Sequence, residues 1–275
     1  MKYHQPTSIR DFMELSTVLA DQNAALLAGG TDLIPRYERG LSLPDHLIDL
    51  KKLSDLHQVN IHDDHIQVGA LTTIQSIADH QVIRDDFNAI HMAATDFAGA
   101  QIRHRGTIGG NIVNASPAGD LLPGLYAFEA QLTLIGPEGE RHVPLQQFIL
   151  GPGETDLKPG EILVSITMDR TSHDSTFQKI GLRRSMAISV VNLAIVFARN
   201  PQGFKHIRIA AGSVAPTIVT LDKLTSSLLD KTSTPDDWPA LIKADIAPID
   251  DIRATASYRT HVTINLIQAF LGAVS

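Results

Sequence analysis

The chain has 275 residues, 43% of them hydrophobic and 19% charged, with 23 Lys and Arg against 30 Asp and Glu for a formal charge of −7. That balance suits a packed soluble protein and excludes wholesale disorder; the acidic excess argues against binding a phosphate backbone, so no nucleic-acid partner is expected. The chain has no cysteine, which excludes a disulfide framework, a thiolate zinc site, a Cys nucleophile and an iron–sulfur cluster held by this chain's own thiolates.

Pro6-Thr7-Ser8 opens the first element. Ile9, Phe12, Met13, Leu15, Val18 and Leu19 follow at helical spacing, so an amphipathic helix capped at Ser8 is expected. The apolar run Ala24 to Ala28 stops at Gly29-Gly30, a buried strand feeding a glycine turn. Pro44 to Leu50 reads as a second strand, completing a small α/β unit. Val59-Asn60-Ile61 and Ile66-Gln67-Val68 flank His62-Asp63-Asp64-His65 and predict a hairpin. One helix is expected from about Thr73 and another from Ile83 to about Phe97, before a Gly-rich stretch from Gly99 to Gly119.

Gln131 to Ile135, with the segment after Pro137-Glu138-Gly139, predicts a second hairpin, and Glu161 to Met168 a strand. Asp169 to Ser175 is polar and reads as a linker, which places a domain boundary near residue 172. Beyond it, Ala187 to Phe197 and Ile207 to Val214 are joined by the turn signal Asn200-Pro201-Gln202-Gly203. Thr234-Pro235 predicts a short helix with Pro at its first position, and Thr260 to Val274 a terminal amphipathic helix. The most apolar run, Met186 to Ala198, falls short of the about 20 residues of a membrane span. No membrane span is expected. The start carries no apolar leader core, so the expected location is the cytoplasm.

The usual nucleotide and hydrolase signatures, G-x-G-x-x-G, a Walker lysine, G-x-S-x-G and H-E-x-x-H, are missing. Two glycine segments stand instead: Ala28-Gly29-Gly30-Thr31-Asp32-Leu33 and Gly106-Thr107-Ile108-Gly109-Gly110-Asn111. Paired glycines let backbone N–H groups converge on an anion with no Cβ in the way. Each is equally a plain tight turn, but two such loops, with Asn111 and Asp120 nearby, could grip the two phosphates of a dinucleotide. His62-Asp63-Asp64-His65 reads as the turn of its hairpin rather than as a metal site, and no metal site is expected. His104-Arg105 fits pyrophosphate neutralisation and a solvated face alike. A Ser116–His–Asp120 triad lacks a nucleophile elbow, and no catalytic residue is assigned.

Several motifs in order resemble the FAD-binding (medium) subunits of molybdenum-containing hydroxylases, the group of xanthine, nicotinate and aerobic carbon monoxide dehydrogenases. Leu26-Leu27-Ala28-Gly29-Gly30-Thr31-Asp32-Leu33 resembles the first FAD loop. Phe97-Ala98-Gly99, Gln101-Ile102-Arg103 and Thr107-Ile108-Gly109-Gly110-Asn111-Ile112 resemble the second. Ser116-Pro117-Ala118-Gly119-Asp120-Leu121 is similar to the S-P-x-x-D-L that follows it. Glu161-Ile162-Leu163-Val164-Ser165-Ile166, Lys179 and Arg183-Arg184 resemble the passage from flavin domain to C-terminal domain, and Ile207 to Pro216 a strand of the latter.

The resemblance implies an α+β fold. A two-part FAD-binding domain of the vanillyl-alcohol-oxidase (PCMH) type would span 1–171, with a small α/β subdomain (about 1–54) and a larger α+β one (55–171). A smaller α+β domain of the carbon monoxide dehydrogenase flavoprotein type would follow at 172–275. It also implies site roles. Residues 26–33 would line the pyrophosphate and ribityl side, and Gly109, Gly110 and Asn111, with Thr107, Ile108 and Ser116 beside them, would complete the cradle. Asp120 would hydrogen-bond the flavin nucleotide. Phe97, Ile162 and Leu163 would flank the cofactor, and Lys179 would lie near its ring as a tuning cation.

The implied activity is that of an oxidoreductase subunit, in a complex whose large subunit carries the molybdenum–pterin site and whose small subunit carries two [2Fe-2S] clusters. Electrons would leave for NAD or another acceptor. Thr31-Asp32 stands where carbon monoxide dehydrogenases have His-Ser, which favours a xanthine-type or nicotinate-type complex. Two other readings are a non-catalytic assembly subunit of the same complex and a stand-alone flavin oxidoreductase.

Overall fold

The computed structural model describes residues 1–183 and 186–274. Strands and helices mix throughout in three main sheets and a two-stranded pair, Ile149–Gly151 with Glu154–Thr155, an α+β architecture. The first sheet is parallel, with His46–Asp49 between Lys2–His4 and Ala24–Leu27. All four residues of the central strand are buried. The helix Ile9–Val18 covers this sheet, with Phe12 in a cluster with Ile48, Leu50, Leu53 and Leu56. Its start is fixed as its sequence implies: Ser8 Oγ accepts from the Asp11 amide at 3.1 Å. The Asp11 carboxylate accepts in return from Thr7 N and Oγ1.

The second sheet is antiparallel, in the order Val59–Ile61, His65–Gly69, Ile162–Asp169, Gln131–Gly136, Gly139–Pro144. Two local hairpins are thus joined through a central strand from far along the chain, which closes the unit and carries Ile162 and Leu163 to its middle. Helices Ile74–Asp79, Asn88–Thr95, Ile108–Val113 and Leu121–Ala127 contribute to the same core as Leu132, Leu134 and Ile166.

The third sheet, also antiparallel, orders Asp174–Gly181, Ser189–Asn200, Gly203–Gly212 and Val219–Thr220. Alternation along Ser189–Asn200 explains its apolar run from Leu193 to Ala198. Leu193 and Ile195 join the cluster of the C-terminal helices, with Trp238, Ile267 and Phe270, while Ala194 and Val196 join the core of the second sheet. Both faces are buried, so both need apolar residues.

The structure departs from the sequence expectations in five places. The helix expected over Ile83 to Phe97 divides at Phe87 (φ −129°, ψ 48°) into Gln81–Asp86 and Asn88–Thr95, with Phe87 itself fully buried. The Gly-rich stretch contains the helices Ala100–Arg103 and Ile108–Val113. The strand Asp174–Gly181 starts inside the supposed linker, which narrows the passage between sheets to residues 170–173. Thr234-Pro235 forms a turn closed by the Asp237 carboxylate, and the helix begins later, at Trp238, with Pro239 in its first turn. The terminal helix is Ala256–Val274, one turn longer at its start. Among the described residues no helix is long and apolar enough to cross a membrane, and no group of three or more potential ligands could hold a metal ion.

Candidate functional site

The two glycine segments face each other across a cleft of about 440 Å³. The first forms where strand Ala24–Leu27 ends. Gly30 adopts φ +75°, a left-handed turn that Gly takes without strain. Gly29 lies so close to the second segment that a Cβ there would collide with the Arg105 carbonyl. The short helix Leu33–Glu38 follows, and Asp32 makes no side-chain cap to it. The first amide of this stretch with a backbone acceptor is that of Ile34, which donates to Gly30 O at 3.2 Å. Among the described residues, the five amides from Gly29 to Leu33 donate to no protein group.

The second segment is a helix start. Thr107 is the N-cap of Ile108–Val113 and its Oγ1 accepts from Gly110 N at 3.0 Å. Ile108 N donates to Thr72 O, Gly109 N to Ala70 O and Asn111 N to Thr107 O. Apart from Thr107 N, which donates to no protein group among the described residues, the amides of this segment are engaged, so the expectation that its paired glycines lend their amides to a phosphate is not met. A Cβ on Gly109 would stand 2.7 Å from Ala70, so this glycine lets the helix start pack onto the strand end. A Cβ on Gly110 would meet only Thr107 Oγ1, at 3.0 Å. Gly110 is exposed and lines the cleft. Asn111 lines it too, and its buried Oδ1 has no hydrogen-bond partner.

The remaining walls are mostly apolar, with Asn114 a polar exception. Leu26, Leu71, Ile74, Leu157, Ile162 and Leu163 contribute, and Phe97 and Ala98 close one side. Ala98 adopts φ +38°, and this turn is held by Arg103, which donates to Phe97 O at 3.1 Å and Ala98 O at 3.3 Å. Opposite, Arg141 grips Glu161 with two nitrogens (2.7 and 2.8 Å) and Asp156 with a third contact at 2.7 Å. These bonds from Arg141 hold the Glu161 carboxyl below its usual range. The clamp orders the chain on both sides of Leu157 and immediately before Ile162. Asp32 and Arg36 are the only charged residues lining the cleft among those described, paired at 3.5 Å.

Thus the structure brings Leu26, Ala28 to Leu33, Phe97, Thr107, Gly109, Gly110, Asn111, Ile162 and Leu163 to one cleft. Leu27, Ile108, Ser116, Asp120 and Lys179 do not line it. Leu27 and Ile108 are buried, and Ser116 Oγ accepts from Ala118 N in a local turn. Asp120 is buried with protein donors on both oxygens. Lys179 Nζ lies at 2.7 Å from Oδ2, while Ser189 Oγ (2.6 Å) and Asn192 Nδ2 (3.0 Å) donate to Oδ1. These partners sit on the third sheet, so Asp120 ties it to the helix Leu121–Ala127. Its placement does not offer the carboxylate to a nucleotide in the cleft.

Lys179 lines a second cavity, of about 390 Å³, with Asp96 and residues 180–183. Arg183 donates to Met186 O; Arg184 lies outside the described residues. His104 and Arg105 are exposed and line neither cavity. Sequence reading missed Arg36, the Arg141 clamp and the role of Arg103. Arg36 has a weak local signal, one helical turn beyond Asp32 and just after a glycine turn. The clamp has none, because its partners Asp156 and Glu161 lie 15 and 20 residues from Arg141, in the connection before strand Ile162–Asp169.

Residues 1–168 match the family described as the FAD binding domain in molybdopterin dehydrogenase, and residues 176–274 the carbon monoxide dehydrogenase flavoprotein C-terminal domain. The carbon monoxide dehydrogenase medium chain of Hydrogenophaga pseudoflava is 31% identical, over 99% of this chain and 96% of that one. The xanthine dehydrogenase FAD-binding subunit of Escherichia coli O157:H7 is 28% identical, over 94% and 91%. A solved carbon monoxide dehydrogenase from H. pseudoflava, in a form lacking the Mo-pyranopterin moiety, superposes with a TM-score of 0.91 at 29% identity, covering 98% of this chain and 95% of that one. With both of its parts matched in order and a cleft of paired glycine segments in the first, the chain belongs to the family of FAD-binding subunits of molybdopterin dehydrogenases.

Proposed function

We propose that this chain is the electron-transfer subunit of a molybdenum-containing hydroxylase, holding FAD in the cleft between Gly29–Leu33 and Thr107–Asn111. The observation that carries this reading is the row of five unpartnered amides at Gly29 to Leu33, facing a cleft with the orphaned Asn111 Oδ1 and an open approach over Gly110. Four of the five residues are half-buried and Asp32 is exposed; polar groups withdrawn from water without partners are rare in folded proteins. A dinucleotide fits what is left unsatisfied: anionic oxygens for the amides, a donor for Asn111, and apolar walls for the rings.

The chain's own residues would divide the work. Gly29 to Leu33 bind the pyrophosphate through N–H groups, and Gly110 keeps the approach clear. Leu26, Phe97, Ile162 and Leu163 exclude water from the ring region, with Arg103 and Arg141 fixing the walls. Asp120 and Lys179 act at the junction of the sheets, where Lys179 places a buried positive charge beside the second cavity. FAD, once bound, would supply an electron carrier able to accept and release electrons one or two at a time. This chain has no cysteine, so thiolate-held [2Fe-2S] clusters belong to a small partner subunit and the molybdenum–pterin site to a large one. Thr31-Asp32 supports a xanthine-type complex as the first to test, with NAD as the first acceptor. The domain division near residue 172 belongs to the same reading.

Titration of the purified chain with FAD, followed by flavin fluorescence and the visible spectrum, tests the assignment. Stoichiometric quenching at one FAD per chain is expected. A chain that leaves FAD fluorescence unchanged at saturating concentration would overturn it.

A further inference from the structure

We infer that Arg36 sets how tightly the cleft holds a dinucleotide, and that the Asp32 carboxylate restrains it until the anion arrives; this rests on the FAD reading above. Five amides alone would face the two negative charges of a pyrophosphate. Among the described residues Arg36 is the only cation in the cleft lining, and Asp32 the only anion. Asp32 lies within the row of free amides and Arg36 one helical turn beyond it, so both fall within reach of anything bound there.

Their ion pair is loose. It measures 3.5 Å, with each side chain 55% exposed, whereas Arg141–Glu161 and Lys179–Asp120 measure 2.7 Å with more buried partners. An exposed pair of this kind contributes little. Asp32 has no other bond to hold it, since it caps nothing. A phosphate is the better partner, because guanidinium–phosphate contacts are charge-assisted and bidentate. Arg36 therefore changes partner on binding, from carboxylate to phosphate. Asp32 then becomes an uncompensated negative charge near the anion, a built-in brake on affinity.

The full chain, stripped of flavin, is titrated with FAD and with uncharged riboflavin by fluorescence quenching, at low and high salt. Arg36→Gln is expected to weaken FAD about tenfold, to leave riboflavin affinity within about twofold, and to remove most of the salt sensitivity. Asp32→Asn is expected to tighten FAD severalfold. Melting curves should be unmoved in both variants, since the pair is exposed. Equal FAD affinity in wild type and Arg36→Gln overturns this inference alone, as does weaker FAD binding in Asp32→Asn. Parallel loss of FAD and riboflavin in Arg36→Gln also overturns it, because the residue would then be shaping the cleft. A wild-type chain that binds neither ligand overturns the cofactor reading and this inference with it.

Discussion

At Gly29-Gly30 the chain turns out of a strand and leaves five amides with nothing to bond; at Gly109-Gly110 it enters a helix with its amides already engaged by Ala70, Thr72 and Thr107. The same dipeptide thus serves two physical ends. In the first segment glycine supplies a left-handed turn and lets the backbone pass against the Arg105 carbonyl, so polar groups stay available. In the second it lets a helix start settle on Ala70 and leaves Gly110 as a gap in the cleft wall. One segment can offer hydrogen bonds; the other offers room. Together they make a cleft that neither could make alone, and Gly29 is the point where they touch.

That contact is where the comparison breaks most easily. Gly29→Ala puts a Cβ into the backbone carbonyl of Arg105, and backbone cannot rotate away as a side chain can. The expected cost is about 3 kcal/mol of stability, with FAD binding lost because the five amides shift with the turn. Chemical denaturation and FAD titration measure both. A variant as stable as wild type would show that the two segments do not depend on each other.

The wall belonging to neither segment gives a smaller effect with a pH signature. The Glu161 carboxyl is depressed below its ordinary value of about 4.3, chiefly by Arg141. Its contribution is therefore present above that value and is lost as pH falls through the lower, folded-state value. Glu161→Gln is expected to cost about 2 kcal/mol near pH 7. The gap in melting temperature between variant and wild type should narrow steadily below about pH 4.5. A gap that stays constant from pH 7 to pH 3 would mean the clamp does not depend on the ionised carboxyl.

Much of this was legible along the chain, and what was not has a common cause. Ser8, Thr73 and the Ala24–Gly30 strand-to-turn passage are local signals, read from side chains that cap or free the backbone beside them. Helix Leu121–Ala127 is buried on all sides and so lacks the polar face that would have marked it. The break at Phe87 carries no Pro or Gly; a buried aromatic ring directs it. Asp120 resembled a cofactor ligand because its motif is local, yet its partners Lys179, Ser189 and Asn192 lie 59, 69 and 72 residues away. The same holds for Gly109 and Gly110. Their spacing predicts free amides, and only the acceptors Ala70 and Thr107 reveal that the amides are engaged.

Gly110→Ala separates room from hydrogen bonding with the smallest disturbance to the fold. The new Cβ meets only the Thr107 hydroxyl, which has to give by a few tenths of an ångström while keeping its cap on Gly110 N, and an alanine within a helix is favoured over glycine by up to about 1 kcal/mol. Mild crowding at 3.0 Å offsets part of that gain, so stability should stay within about 0.5 kcal/mol of wild type. FAD affinity should nevertheless fall, and fall further in Gly110→Val, whose branched side chain fills more of the approach. If the second segment instead contributed its amides, both variants would retain binding as long as the helix start survived. Unchanged affinity in Gly110→Val alongside an unchanged melting curve would therefore reverse the division of labour between the two glycine segments.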